Sequence, residues 1–156
     1  MIDWFVRLYT DPTAERLLVA FVLGAIIGAE RQFRNEYGGV RVNVLVSLGA
    51  AAFVDLMTTM SPASPGMPAG VGAIVTGVGF LGAGLIMKEG FNIRGLSTAA
   101  TVWCSAAIGA NAGASEYTAA ALICLFVTGA NLVLSPMVKL IEARRRPTQD
   151  GSDPSI

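Results

Sequence analysis

Three long uncharged segments dominate the sequence and set the first constraint on its fold. They cover residues 69–87, 95–115 and 117–138, with 19, 21 and 22 residues. A helix needs about 20 mostly apolar residues to cross a hydrocarbon core of about 30 Å. Charged residues make up only 14% of the chain, against about 25% in ordinary soluble domains. The segments therefore predict an integral membrane protein whose spanning helices leave little chain for a separate soluble domain.

Two less regular segments extend the prediction to an all-α bundle of five transmembrane helices. Residues 42–60 carry a single charged residue, Asp55. Residues 17–29 are uncharged but number only 13, a length that also suits a re-entrant segment or a signal peptide. The residues before them carry a net charge of −1, whereas a signal peptide begins with a positive region. A spanning helix is therefore preferred to a cleaved leader.

The start of this first span is predicted from a capping pattern. Asp11 followed by Pro12 is typical of an N-cap and the first helical position. A helix over 12–30 would then be about 28 Å long. Arg16, inside that helix, could extend its charge to the outer interface.

The basic residues predict the orientation of the five spans. Cytoplasmic loops of membrane proteins carry an excess of Lys and Arg. One side of the predicted bundle holds nine basic residues and the other holds two, Arg7 and Arg16. The nine are Arg31, Arg34, Arg41, Lys88, Arg94, Lys139, Arg144, Arg145 and Arg146. We expect the N-terminus outside and the C-terminus in the cytoplasm, with a membrane domain over 1–143 and a basic, then disordered, tail over 144–156.

Composition argues against several classes of function. The net charge is zero, which gives no reason to expect a nucleic-acid partner. The chain has no histidine and its two cysteines do not form a C-x-x-C pair. Neither a bound metal or other cofactor nor thiol-redox chemistry is predicted.

The first cluster of candidate functional residues lies where the first span ends. Gly24 and Gly28 form a G-x-x-x-G pattern, which is typical of a helix-packing face. Glu30 and Arg31 follow it, and Arg41 begins the second span. A Glu30–Arg41 ion pair fastening two helix ends is slightly preferred to solvated interface charges, since exposed pairs contribute only about 0–1 kcal/mol.

Asp55 is the second candidate, because it lies inside a predicted span. A charged side chain at the centre of a membrane helix costs about 2.5–3.5 kcal/mol on insertion scales, and less towards the surface. Two interpretations stay open. Asp55 serves in a proton relay, a cation site or helix pairing, or it lies shallow enough to reach the lipid headgroups.

Gly77, Gly79, Gly82 and Gly84 give the third span an unusual density of glycine. Each glycine destabilises a water-exposed helix by about 0.5–1 kcal/mol relative to alanine. The pattern therefore predicts close contacts or a locally broken helix lining a cavity. It matches neither a dinucleotide fingerprint nor a Walker A loop.

Polar residues early in the fourth span form a further candidate group. Ser97, Thr98 and Thr101 share much of one helix face and could hydrogen-bond across helices or back to their own carbonyl groups. Asn43 and Asn131 are likewise expected to face neighbouring helices.

Trp103 and Cys104 lie near the middle of the fourth span. A tryptophan this deep is far from the interfacial belt where the residue is usual. We therefore expect its indole N–H to have a partner in the protein.

Several stretches of the sequence, taken together, resemble the MgtC/SapB family. The matching segments are "LGAIIGAERQ", "GGVRVNVLVSLGAA", "TTMSPASPG" and "GFLGAGLIMKEGFNIRGLSTAATVWCSAAIG". They cover roughly residues 17–113, and their order and spacing agree as well as their letters. "GFLGAG" followed by "GLSTAATVW" is a specific combination. Cys104 matches the family pattern, whereas Ser97 stands where an asparagine is expected.

The resemblance implies a bacterial inner-membrane protein with five spans. It also implies adaptation to low magnesium and, in pathogens, virulence through survival inside macrophages. The family is thought to regulate other membrane systems, including the ATP synthase. Its members carry a C-terminal ACT-like domain for which this chain is too short, so the chain is either a piece of a longer protein or a short member.

Three function classes follow from the residues and the resemblance. A regulator that docks on partner membrane complexes, with a second copy as a further possible partner, is preferred because small-residue helix faces are abundant. A small magnesium or proton transporter or channel is the alternative, although a cation path should present several carboxylates or a carbonyl filter. An enzyme is not expected, since no nucleophile–base pair is visible.

Overall fold

The computed structural model describes residues 11–60, 67–90 and 92–145. Within these residues the chain forms five α-helices and one short hairpin. The helices are α1 (Pro12–Phe33), α2 (Val40–Met60), α3 (Met67–Leu85), α4 (Leu96–Gly113) and α5 (Tyr117–Arg145). The strands are β1 (Met87–Glu89) and β2 (Asn92–Arg94). The first two residues of the predicted tail, Arg144 and Arg145, belong to α5, and its remaining part, 146–156, lies outside the described residues.

The start of α1 confirms the capping pattern. The Asp11 carboxylate accepts a hydrogen bond of 2.9 Å from the Thr13 N–H, and Pro12 occupies the first turn. Such a cap satisfies one of the N–H groups that have no acceptor inside the helix. The helix continues to Phe33, three residues beyond the predicted end at Glu30.

The helices are those of a membrane protein. Among the described residues, three helical segments are long and apolar enough to cross a bilayer: Pro12–Phe33, Val40–Met60 and Tyr117–Leu134. Ala69–Leu85 is a shorter apolar helix. α4, the fourth predicted span, is not among these segments, and its Thr98, Thr101 and Ser105 are buried inside the protein.

The centre of the bundle is the packing of α2 against α1 and α4, while α5 packs on α4 and α1, and α3 packs mainly on α4. The largest apolar cluster draws on α1, α2, α4 and α5. Its buried members are Ala20, Ile27, Ala51, Ile108, Ala112, Ala120 and Cys124. Small side chains predominate, as expected where helices associate through close backbone contact.

Glycine allows α2 to approach both of its neighbours. A Cβ atom on Gly28 would lie 2.4 Å from the Val40 Cα atom, which confirms the predicted packing face on α1. On α4, a Cβ atom on Gly109 would lie 1.9 Å from the Ser47 carbonyl oxygen. Neither position has room for a side chain.

The glycines of α3 do not have the predicted role. A Cβ atom on Gly82 would make only an ordinary contact of 3.7 Å with Ala99, and one on Gly77, Gly79 or Gly84 would meet nothing within 4 Å. The helix is also continuous through these residues. Because this glycine-rich helix leaves much of its surface unpacked, the expectations of close contact and of a broken helix are wrong within this chain, although Gly77 does line an open groove beside α2.

The segment after α3 departs from an all-α fold. The predicted loop 88–94 is an antiparallel hairpin in which Met87 pairs with Arg94 and Lys88 with Ile93. Gly90 has a φ of 63°, a left-handed conformation that glycine adopts without strain. The third span accordingly ends at Leu85 instead of Met87.

The glycine contact on α4 leads to a first prediction. Gly109→Ala should destabilise the protein by about 1–3 kcal/mol, because the added methyl group forces α4 away from α2. The measurement is the thermal unfolding temperature of the detergent-solubilised protein, followed by tryptophan fluorescence.

Gly84→Ala is the matched control, since the new methyl group enters open space. It should leave the unfolding temperature unchanged or raise it slightly, given the better helix propensity of alanine. Equal unfolding temperatures for the two variants would contradict the close approach at Gly109.

Candidate functional site

A buried ion pair joins α1 to α2 near the start of α1. Asp55 is only 7% exposed, and its Oδ1 atom accepts a hydrogen bond from Nη1 of Arg16. Thr13 donates to the other carboxylate oxygen at 3.0 Å. The Nε–H of Arg16 donates to the Ser115 hydroxyl at 2.8 Å. We call Thr13, Arg16, Asp55 and Ser115 the Asp55 cluster.

The Asp55 cluster bears on the two interpretations of Asp55. The carboxylate points into the protein and is paired with Arg16. The Arg16 guanidinium is likewise bound within the protein, to Asp55 and Ser115. Of the embedded roles considered, this geometry supports helix pairing, because the contacts of Arg16 join α1, α2 and the segment after α4.

A second polar cluster surrounds Arg31 near the opposite end of α1. Arg31 is 1% exposed. Its guanidinium donates to the hydroxyl groups of Ser97 at 3.2 Å and Thr98 at 2.8 Å, and to the Tyr37 carbonyl at 3.2 Å. The Glu36 carboxylate lies 3.8 Å away. We call Arg31, Tyr37, Ser97 and Thr98 the Arg31 cluster.

The Arg31 cluster confirms that the hydroxyl groups early in α4 bond across helices. Thr101 also donates back to the Ser97 carbonyl at 2.9 Å. The turn before α2 must pass close to this cluster. A Cβ atom on Gly38, whose φ is 73°, would lie 2.7 Å from Cγ2 of Thr98. Glycine at position 38 therefore allows the turn to place the Tyr37 carbonyl within hydrogen-bonding distance of Arg31.

The predicted Glu30–Arg41 ion pair is wrong. Glu30 is buried, and its carboxylate lies 3.4 Å from Nε of Arg34, while the other oxygen accepts from Asn131 at 3.1 Å. Arg41 is exposed at the start of α2. Side chains four positions apart on a helix are neighbours, so Arg34, the C-cap residue of α1, lies beside Glu30. Asn131 faces a neighbouring helix as predicted.

A third set of buried polar groups lies deeper on α2. Asn43 is fully buried, and its side-chain N–H groups donate to the carbonyl groups of Gly38 and Gly39. Ser105 donates to the Asn43 side-chain oxygen at 2.7 Å. Ser47, one turn along α2, donates to the Ala20 carbonyl at 2.9 Å. Asn43 thus faces its helix neighbours as expected.

Sequence reasoning missed Ser47 and Ser105. Each stands four residues after a polar residue already considered, Asn43 in one case and Thr101 in the other. That spacing places them on the same helix face as those residues, which is the signal that could have identified them.

Trp103 and Cys104 belong to none of these clusters. Trp103 is 47% exposed on the outside of α4, and its indole makes no hydrogen bond with any part of the chain that the structure describes. The expected protein partner is therefore wrong, because the ring faces the surroundings of the bundle. Cys104 is half-buried and, like Cys124, free.

An apolar layer separates the polar groups at the two ends of the bundle. Ser47 and Asp55 are eight positions apart on α2, which corresponds to a rise of about 12 Å. The buried side chains of α2 between them are Ala50, Ala51 and Val54. α4 contributes Ile108 and Ala112 at this depth, both fully buried. Among the described residues, no group of three His, Cys, Asp or Glu side chains could hold a metal ion.

A groove of about 710 Å³ opens between α2 and α3. Its lining is apolar throughout and includes Phe53, Met57, Ile74 and Leu81. None of the three polar sets contributes to its walls.

Comparison with known proteins identifies the family. The sequence model described as "MgtC family" matches residues 17–140. The chain belongs to the MgtC family. This confirms the resemblance found in the sequence.

Relatives support the same assignment. The chain is 51% identical over 131 residues to "Protein MgtC" of Brucella abortus (strain 2308), covering 83% of this chain and 54% of the relative. It is 49% identical over 128 residues to "Protein MgtC" of Salmonella typhimurium (strain 14028s / SGSC 2262), covering 82% and 54%. The chain thus spans about half the length of these relatives. No solved structure matches it.

The Asp55 cluster leads to a second prediction. Asp55→Asn should lower stability by about 1–3 kcal/mol, because the mostly buried Arg16 loses its counter-charge. Arg16→Gln should have a comparable effect. The double variant should be less destabilised than the sum of the two, since neither charge is then left alone. Thermal unfolding of the four proteins in detergent measures this coupling.

The same variants test a functional role of Asp55. Loss of activity with normal expression and normal stability in Asp55→Asn would contradict a purely structural pair. Additive effects in the double variant would show that Arg16 and Asp55 do not act together.

Proposed function

We propose that this chain is a regulator in the bacterial inner membrane that acts in adaptation to low magnesium and in survival inside macrophages. It acts on partner membrane complexes, such as the ATP synthase, and catalyses no reaction of its own. Its membership of the MgtC family supports the physiological setting. Because the chain spans about half of its relatives, the proposal concerns what the membrane part contributes.

The apolar layer between Ser47 and Asp55 is the observation that carries the regulatory role. A path for magnesium or protons needs polar groups or water along its length. Here the polar side chains at each end of the bundle bond to partners at the same end. Packed aliphatic side chains lie between the two ends. Asp55, the embedded carboxylate that favoured transport, is neutralised by Arg16.

The proposal includes five membrane spans with the N-terminus outside. The distribution of basic residues supports this orientation, since nine of them fall in segments on one side. The Arg31 cluster belongs to that side, and the Asp55 cluster belongs to the other. Arg16 and Arg31 are 15 residues apart on α1, which corresponds to about 22 Å.

Reporter fusions test the topology. A fusion after residue 65 should report the outside, and a fusion at the C-terminus should report the cytoplasm. Alkaline phosphatase and green fluorescent protein give opposite signals on the two sides. Two fusions reporting the same side would exclude the five-span arrangement.

Affinity purification tests the regulatory role. The tagged chain, solubilised in mild detergent from cells starved of magnesium, should recover a membrane complex that an equally abundant unrelated membrane protein with the same tag does not. Liposomes containing the chain alone should take up no more magnesium than empty liposomes. Uptake that requires the chain and is lost in Asp55→Asn would instead favour a transporter.

A further inference from the structure

The groove between α2 and α3 has the length of a hydrocarbon chain in one leaflet of a bilayer. Its lining extends along α2 from Leu45 to Met57, which corresponds to about 18 Å at the rise of an α-helix. One leaflet contributes half of a hydrocarbon core of about 30 Å. The groove is apolar throughout and has a volume of about 710 Å³. It therefore suits an acyl chain in both length and chemistry.

Packed residues close the floor of the groove, whereas glycines leave its walls open. Val78 of α3 forms a buried cluster with Ala50 of α2 and Ala106 of α4. Beside this floor, a Cβ atom on Gly49 of α2 or Gly77 of α3 would meet nothing within 4 Å. Apolar walls without neighbouring atoms lack the dispersion contacts that a fitting group would supply. The two glycines thus leave space that no other described part of the chain fills.

Arg41 lies one helical turn beyond the groove on the same side of α2. Residues four positions apart on a helix share a face, so Arg41, Leu45 and Gly49 form one row. The Arg41 side chain is exposed, and among the described residues it forms no ion pair. Lys88 is exposed in the hairpin that directly follows α3. Positive charge is therefore available where the apolar lining ends.

This charge distinguishes among the molecules that could occupy the groove. A second copy of the chain in the same membrane would bring its own Arg41 and Lys88 to the same level, where like charges repel one another. A neutral hydrocarbon would gain nothing from the basic side chains. A phospholipid with an anionic headgroup matches both features, because its acyl chain is apolar and its phosphate attracts Arg and Lys.

From this combination we propose that the groove between α2 and α3 binds one acyl chain of an anionic phospholipid whose headgroup pairs with Arg41. The acyl chain makes dispersion contacts with the groove walls, and the headgroup adds a preference for negative charge. The inference goes beyond the proposed function. It depends neither on that function nor on which side of the membrane the Arg41 end faces.

Native mass spectrometry of the detergent-solubilised chain tests the site. The probes are phosphatidylglycerol and phosphatidylcholine with identical acyl chains, titrated separately. The wild type should bind one molecule of phosphatidylglycerol about fivefold more tightly than phosphatidylcholine, which is the factor expected for one basic side chain near a membrane surface. Equal affinities for the two lipids would overturn the proposal.

Gly77→Leu tests whether the lipid lies in the groove. The new side chain would enter the groove from a position without close neighbours, so the affinity for both lipids should fall by about tenfold or more. Gly49→Leu, on the opposite wall, should have the same effect. Thermal unfolding in lipid-free detergent should show no loss of stability in either variant, given the better helix propensity of leucine.

Gly79→Leu is the matched control. A Cβ atom on Gly79 would also meet nothing within 4 Å, but this residue does not line the groove. The variant should keep the wild-type affinity for both lipids. Undiminished lipid binding in Gly77→Leu and Gly49→Leu would overturn the proposal, and so would equal losses in all three variants.

Two substitutions of Arg41 test the headgroup contact. Arg41→Gln should remove the preference for phosphatidylglycerol and leave the affinity for phosphatidylcholine unchanged, whereas Arg41→Lys, which keeps the charge, should retain the preference. An unchanged preference in Arg41→Gln would contradict the assigned contact. The same spectra report the oligomeric state. A dimer that excludes lipid and is lost in Gly77→Leu would identify a second copy as the occupant and overturn the proposal.

Discussion

The close approach of α2 to α1 and α4 is the contact on which the other interactions depend. Glycines 28 and 109 leave no room for a side chain between these helices. Because the backbones meet, short polar groups can bond across the interfaces, as Ser47 does with the Ala20 carbonyl and Ser105 with Asn43. The Arg16–Asp55 pair and the Arg31–Thr98 bond join the same three helices. In lipid, where burial of apolar surface does not favour association between helices, such packing and hydrogen bonding hold a bundle together.

The buried charges follow from this arrangement. Inside a membrane a charge is stable only beside a protein partner or water. Asp55 meets this condition with a full counter-charge, Arg16, close to the start of α1. Arg31 meets it with three neutral oxygens and with the Glu36 carboxylate, 3.8 Å away. Both buried charges are therefore bound within the protein, where they join helices and turns to one another.

The two clusters also bear on the choice between regulation and transport. The aliphatic layer around Ala51, Val54 and Ile108 separates them, so a change at one end would reach the other through helix packing and not through a polar channel.

The sequence alone determined the class of the protein, its family and the approximate extent of its helices. The length of the uncharged segments, the Asp11–Pro12 cap and the Gly24–Gly28 pattern are local features, and the structure confirms the last two directly. Only the tertiary structure decided the partners: Arg16 for Asp55, which is 39 positions away, and Asn131 for Glu30, which is 101 positions away. Helices that are apolar on nearly every side carry little information about their rotation. The direction in which Trp103 and the α3 glycines face, and the pairing of each buried charge, therefore emerge only when the five helices are packed together.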